Sequence, residues 1–191
     1  MKYGKFIDAA DILGFELLFL KRAVSTNEEK PAMNYIYIEP SDKGDGFIGV
    51  ATDGRRLHVV EPLNAETEYH GLTAGYWKVL AGGKGKSAQI VRLEDSETSK
   101  FVFPSWKKII PLEAPEFRTD FSGFSTKKSV GNFNGLAKFL HEFPEATALN
   151  LFYLQDLGTD CFWEVSWYGA KKPLKFTERN RTVIIAPMMI C

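Results

Sequence analysis

The stretch from Val50 to Val60 constrains the fold more than any other part of this 191-residue chain. Asp53 and Gly54 stand between two apolar runs, 47–51 and 57–60. An Asp-Gly pair flanked by such runs is the strongest short-range signal for a β-hairpin, because glycine accepts the positive φ that tight hairpin turns need. The sequence therefore predicts two antiparallel strands joined at this turn.

A helix is predicted ahead of the hairpin, where Ile12, Phe15, Phe19 and Ala23 recur at helical spacing and Asp8 can cap the first turn. Elsewhere, period-two patterns and turn residues predict strands over 33–39, 88–93, 100–103, 149–154, 162–167 and 182–185, and helices over 72–80 and 133–143. A helix followed by strands thus recurs along the chain. This order favours an α+β fold in which antiparallel sheets carry helices on one face.

Charge and cysteine usage narrow the function classes. Lys plus Arg and Asp plus Glu each number 24, so no global field attracts nucleic acid, although a neutral total can hide a basic face. Cys161 and Cys191 have no CxxC or Cys/His spacing around them, and the three histidines are scattered. We expect reduced thiols, no metal and no cofactor. Acidic residues interrupt the apolar N-terminal segment, so a cytoplasmic location is expected.

Evidence for catalysis is weak. The loop Gly82–Lys86 has glycines that could approach a phosphate and lysines, Lys84 and Lys86, that could neutralise it. Its spacing differs from GxxxxGK[ST], and no nucleophile elbow surrounds any serine. Two alternatives stay open: a small-molecule or nucleotide-processing enzyme that uses the Lys84/Lys86 loop, and a structural subunit whose aromatic surface is buried by a partner chain.

Four segments, in order, resemble the bacterial sliding clamp, the DNA polymerase III beta subunit. They are Lys21-Arg22-Ala23-Val24-Ser25 followed by Glu29-Lys30-Pro31-Ala32-Met33; Ala51-Thr52-Asp53-Gly54-Arg55-Arg56-Leu57; Phe103-Pro104-Ser105-Trp106 through Pro111; and Val183-Ile184-Ile185-Ala186-Pro187-Met188-Met189-Ile190. The family counterparts are the helix end before a charged residue and proline, ATDG followed by a basic residue and RL, the FPDY connector, and the terminal YVVMPMRL. The resemblance implies a DNA-clamp-like α+β fold.

The resemblance also implies a shortened clamp. Residues 1–111 correspond to the family's middle domain, and residues 112–191 correspond in part to the latter half of its C-terminal domain. The family's first domain has no counterpart in these residues. A chain of this length would not close the family's two-chain ring, so a homo-oligomer of another kind stays open.

A partner-docking groove is the main functional expectation from the resemblance. In the family, this groove lies between the middle and C-terminal domains and receives a short linear peptide from replication or repair proteins. Carried over by position, the peptide-binding residues are Thr52, Gly54, Arg55, Leu57, Pro111, Ile184, Ala186, Pro187 and Met188. Ala186 stands where the family has a large methionine, and Met-Ile-Cys replaces the final Arg-Leu. We therefore expect a different peptide preference.

Double-stranded DNA is the second expected partner, because clamp helices present basic side chains to the phosphate backbone. The candidates are Lys21, Arg22, Lys78, Lys84, Lys86 and Lys138, of which Lys78, Lys84 and Lys86 are assigned to the predicted second helix and its following loop. Each such contact would be weak and sensitive to salt. The expected function is a non-enzymatic clamp-like protein of DNA replication or repair.

Overall fold

The computed structural model describes residues 3–9, 11–44, 46–63, 72–82, 88–122, 139–143, 149–158 and 161–188. The chain divides into two compact units, Met1–Ser105 and Trp106–Cys191. The correspondence of residues 1–111 and 112–191 to clamp domains stays a prediction. Within the described ranges, no helix combines the length and the apolar character that a bilayer crossing demands.

The first unit is a six-stranded antiparallel sheet with one main helix. Its strands lie in the order β1-β6-β5-β2-β3-β4. The elements are β1 (Tyr3–Ala9), α1 (Asp11–Lys21), a 3-10 turn (Pro31–Asn34), β2 (Ile36–Pro40), β3 (Phe47–Thr52), β4 (Arg56–Val60), β5 (Gly75–Gly82), β6 (Ala88–Leu93) and the short α2 (Asp95–Thr98).

Helix α1 packs on one face of this sheet and contacts β2 to β6. Leu17 and Leu20 on the helix are fully buried. Gly49 in β3 lies directly beneath Leu20, because a Cβ built at residue 49 would lie 2.5 Å from Leu20 Cδ1 and 3.1 Å from a Leu63 methyl. The helix can approach the sheet this closely only because residue 49 has no side chain.

The opposite face of the sheet carries an aromatic cluster. Tyr37 points away from the α1 face, since its neighbour Ile38 pairs with Gly49 and successive side chains alternate. Phe103 stacks on Tyr37 with ring centroids 4.9 Å apart, and Phe101 meets Tyr76 edge-on at 5.3 Å. These contacts hold the segment 101–103 against the sheet without strand pairing.

The second unit is a four-stranded antiparallel sheet in the order β7-β8-β9-β10. Its elements are a 3-10 turn (Trp106–Ile109), β7 (Phe117–Ser122), α3 (Leu151–Gln155), β8 (Phe162–Trp167), β9 (Leu174–Glu178) and β10 (Arg181–Ile185). Trp163 and Phe176 are fully buried. Phe139, in a helical stretch, packs on Phe121 of β7 with ring centroids 4.7 Å apart.

The predicted fold class is confirmed: the sheets are antiparallel, and α1 packs on one face of the first. The predicted helix over 72–80 is wrong, because Gly75–Gly82 is strand β5. Buried Trp77 and Val79 alternate with exposed Lys78 and Leu80, which is the period of a strand, and β5 pairs with β2 on one side and β6 on the other. Pairing with distant strands overrode the local helical pattern.

The predicted strand over 149–154 is also wrong. The Asn150 side chain accepts a hydrogen bond from the Phe152 N–H at 3.0 Å and thereby starts α3 as an N-cap. The strand predicted over 100–103 is absent, because that segment packs on the sheet through its rings instead of pairing with it. The strand predicted over 33–39 starts only at Ile36, after a 3-10 turn that begins at Pro31.

The start of α1 and several whole strands also differ from the prediction. Asp8 does not cap α1, because it lies in β1 opposite Gln89 and the helix starts at Asp11. Strands β1, β7 and β9 were not predicted. Of the helix predicted over 133–143, only residues 139–143 are described, and residues 139–141 are helical; the rest lies outside the described residues.

Candidate functional site

The hairpin between β3 and β4 is closed by side chains of its own turn. The Thr52 hydroxyl donates to the Arg56 carbonyl oxygen at 2.6 Å and accepts from the Gly54 N–H at 3.0 Å. Asp53 Oδ1 accepts from the N–H groups of Arg55 and Arg56 at 2.9 and 3.0 Å. Gly54 has a φ of +88°, which side-chain-bearing residues rarely adopt. Most of the motif that defines this turn is therefore needed to form it.

The two arginines of the turn, Arg55 and Arg56, have different structural roles. Arg56 Nε donates to Asp53 Oδ2 at 3.0 Å, and the same guanidinium donates to the Arg22 carbonyl oxygen just after α1. The Arg56 side chain is only 13% exposed. Arg55, by contrast, is exposed. Arg56 therefore fastens the turn to the end of the helix, while Arg55 is available to a ligand.

His58 of β4 supports the hairpin from the α1 face. Its ring is fully buried and stacks on Phe19 with centroids 4.5 Å apart. Nδ1 lies 3.0 Å from the Phe19 carbonyl oxygen, which can only accept, so Nδ1 carries the proton of a neutral ring. Burial lowers the pKa of His58 from 6.5 to about 3 against the opposing effect of that hydrogen bond, and the charges of Arg56 and Arg22 lower it further. His58 is a structural residue.

The predicted peptide-binding residues of the hairpin divide by exposure. Thr52 and Leu57 are 2% and 1% exposed, and the Thr52 hydroxyl is engaged within the turn. Gly54 and Arg55 are exposed. Thr52 and Leu57 can support a binding surface from below, whereas Gly54 and Arg55 can contact a ligand directly.

The remaining predicted peptide-binding residues belong to the second unit. Ile184 of β10 pairs with Lys175 of β9 and is 1% exposed. Ala186 and Pro187 continue from the strand end and are half-buried, as is Pro111. Met188 is 53% exposed. In this set, Met188 offers the largest accessible apolar side chain.

The first unit also contains a cleft of about 390 Å³ that was not predicted. Residues 29–33, around the start of the 3-10 turn, form one side of the cleft, and residues between 100 and 104 form the other. Its lining includes Lys30, Ala32, Met33, Lys100, Phe101 and Val102. One signal for this cleft is visible in the sequence, because the charged residues Glu29 and Lys30 before Pro31 belong to a segment that resembles the clamp family.

Met33 connects this cleft with the hairpin turn. A Cβ built on Gly54 would lie 3.3 Å from Met33 Cε, so the turn packs against Met33, which lines the cleft. Met33 is itself 5% exposed, and its carbonyl oxygen accepts from the Ser25 N–H at 2.9 Å. The turn and the cleft therefore form one continuous region of the first unit.

The predicted DNA-binding residues are only partly described. Lys21 ends α1 and is exposed, as is Arg22. Lys78 is exposed but lies in strand β5, so its assignment to a helix is wrong. Lys84, Lys86 and Lys138 lie outside the described residues. Among the described residues, no group of three or more His, Cys, Asp or Glu side chains could hold a metal ion.

Comparison with known proteins gives a structural likeness. No protein-family model matches the sequence. No curated protein matches it either. The DNA polymerase III beta subunit of Borrelia burgdorferi, in complex with a natural product, matches 99% of this chain and 65% of its own with a TM-score of 0.60 and 15% identity. The beta subunit of Streptococcus pyogenes matches 100% of this chain and 68% of its own, with a TM-score of 0.62 and 12% identity.

A third similar structure is the sliding clamp of Bartonella birtlesii bound to griselimycin, with a TM-score of 0.57, 14% identity, and coverage of 100% of this chain and 67% of that one. The chain spans about two thirds of the length of these clamps. At such low identity, the likeness concerns the fold. The polypeptide has the fold of bacterial DNA polymerase III beta sliding clamps over essentially its whole described length.

Proposed function

We propose that this chain is a non-enzymatic, sliding-clamp-like protein of DNA replication or repair that docks short peptide segments of partner proteins. The observation that carries the proposal is the clamp likeness, which covers 99% and 100% of this chain in the Borrelia and Streptococcus structures. The resemblance of the ATDG turn and the terminal strand to the sliding-clamp family is a second line of support, because it comes from the sequence alone.

The geometry of the first unit supports peptide docking in particular. The turn presents Arg55 to solvent, and its Gly54 lies against Met33 of the cleft lining. In the second unit, Met188 is an exposed, adaptable apolar side chain of the kind that recurs at peptide-binding surfaces. A peptide groove needs such apolar contacts together with a few polar groups that orient the backbone.

Fluorescence polarisation with a labelled, short, hydrophobic clamp-binding peptide tests the proposal. Arg55→Glu and Met188→Glu alter exposed residues and should weaken saturable binding without loss of fold. Leu57→Glu is a poorer probe, because a carboxylate at a position only 1% exposed would destabilise the unit. Lys171→Glu changes an exposed residue of the second unit and serves as the control. If binding is saturable and none of these substitutions changes it, the peptide does not contact Arg55 or Met188. If the peptide does not bind at all, the docking function is refuted.

Duplex DNA is the second partner that we propose, through Lys21, Arg22, Lys78, Lys84, Lys86 and Lys138. A gel-shift titration at increasing salt should show binding that weakens steeply as salt rises, because phosphate contacts release counterions. Failure to bind at low salt would restrict the function to protein docking. Sedimentation equilibrium of the full chain tests whether it forms a homo-oligomer, since a mass of 21.6 kDa would mean a monomer.

A further inference from the structure

The mouth of the cleft in the first unit is positively charged. Lys30 and Lys100 both line it and are exposed, and neither forms an ion pair with another described residue. Among the described residues that line the cleft, Glu29 is the one acidic residue. Two lysines against one glutamate leave a net positive charge beside an apolar interior, which favours an anionic group at the rim.

The interior of the cleft is apolar. Ala32 and Met33 form part of the buried lining at 7% and 5% exposure, and Phe101 is half-buried. Val102 is 84% exposed, so its methyl groups stand in water beside the cleft. The volume of about 390 Å³ falls within the range of small-ligand pockets, about 300–1,000 Å³. An aliphatic or aromatic side chain can enter this space and cover Val102.

Both sides of the cleft are held in place before any ligand binds. The Ser25 N–H bonds to the Met33 carbonyl oxygen at 2.9 Å, which fixes one side to the loop after α1. On the other side, the Phe101 N–H donates to the Thr98 carbonyl oxygen at 2.8 Å, and the Phe101 ring stacks on Tyr35 at 5.9 Å. A preformed cleft binds a peptide with less ordering of its own chain.

We propose that this cleft selects a peptide that has both acidic and hydrophobic residues. This inference rests on the proposed docking function. A leucine or phenylalanine side chain of the partner occupies the apolar interior against Met33 and Val102. Carboxylates on the flanking residues of the partner pair with Lys30 and Lys100. Charge therefore decides which partner peptides the first unit accepts, and the two lysines are its specificity-determining residues.

Two labelled seven-residue peptides test this selectivity on the full chain by fluorescence polarisation. One carries Asp on both sides of a Leu-Phe pair, and the other has Lys in place of each Asp. We expect the acidic peptide to bind at least about fivefold more tightly than the basic one at low salt, since exposed ion pairs contribute modestly and are screened by salt. The double variant Lys30→Glu/Lys100→Glu should reverse the preference, while Lys171→Glu should keep it.

Val102 gives a second readout that does not depend on the lysines. Because this residue is so exposed, Val102→Glu and Val102→Lys should both fold normally and both lose the same apolar contact, but the Glu variant repels the acidic peptide and should bind it more weakly than the Lys variant does. Equal binding of both peptides, unaffected by the lysine reversals, would overturn the inference while leaving the docking function standing if Arg55→Glu still weakens binding. Loss of duplex DNA binding on the lysine reversals, without any peptide selectivity, would assign the lysines to phosphate and overturn it as well.

Discussion

Acidification should destabilise the first unit through His58. Burial disfavours the imidazolium, so the pKa of His58 in the folded chain lies near 3, below its ordinary value of 6.5. Below pH 6.5 the unfolded chain takes up a proton that the folded chain does not. The free energy of unfolding therefore decreases as the pH is lowered, until the folded ring also titrates near pH 3. The stabilising contribution is thus complete above pH 6.5 and is lost progressively below it.

The size of this effect follows from the two pKa values. Between pH 7.5 and pH 5, protonation of the unfolded state alone lowers the free energy of unfolding by about 2 kcal/mol, at about 1.4 kcal/mol for each pH unit well below the unfolded pKa. His58→Gln removes the titrating ring and keeps a side-chain N–H that can donate to the Phe19 carbonyl oxygen. The variant should therefore lose about 2 kcal/mol less than the wild type over the same pH interval.

Urea unfolding at several pH values measures the difference. Trp77 is fully buried in the same unit as His58 and reports its unfolding, whereas Trp106, Trp163 and Trp167 lie in the second unit. His141→Gln replaces an exposed histidine and is the matched control, which should retain the wild-type pH dependence. Parallel pH curves for the wild type and His58→Gln would show that the buried ring is not held neutral, and would refute the reasoning.

Three substitutions test the packing and capping contacts by urea unfolding. Gly49→Ala should lower the free energy of unfolding by about 1–3 kcal/mol because the new Cβ meets Leu20, and the loss should be smaller in a Leu20→Ala background. An equal loss in both backgrounds would exclude that clash as its cause. Thr52→Val should cost about 1–3 kcal/mol by removing the hydroxyl that bridges the turn, and Thr52→Ser should restore most of it. Asn150→Ala should cost about 1 kcal/mol through loss of the α3 cap, whereas Asn150→Asp should be nearly neutral.

Local chemistry explains which parts of the fold were predictable. The β3–β4 hairpin was predicted because Asp53 and Gly54 determine the turn through contacts within a few residues. Strand β5 was not, because its partners come from β2 and β6, and only that pairing distinguishes a strand from a helix in such a short apolar run. Strand β1 was missed for the same reason, since its partner β6 lies some eighty residues later in the sequence.

The candidate site was predictable only in part. Residues of the turn could be placed because they are neighbours in the sequence. The cleft could not, because its two sides, around Met33 and Phe101, are separated by nearly seventy residues and meet through aromatic packing that no local pattern encodes. Its charge character depends on the approach of Lys30 to Lys100, which is a property of the tertiary fold.

The contacts within the β3–β4 hairpin show which residues of the turn are needed for the fold and which one is left for binding a partner. Thr52, Asp53 and Gly54 carry much of the resemblance to clamps, yet each is explained here by closure of its own hairpin. A chain could retain them for folding alone. Arg55 is exposed, and closing the turn needs only its backbone N–H. If Arg55→Glu leaves stability unchanged and weakens peptide binding, the turn serves recognition as well as folding, and the clamp likeness extends from architecture to activity.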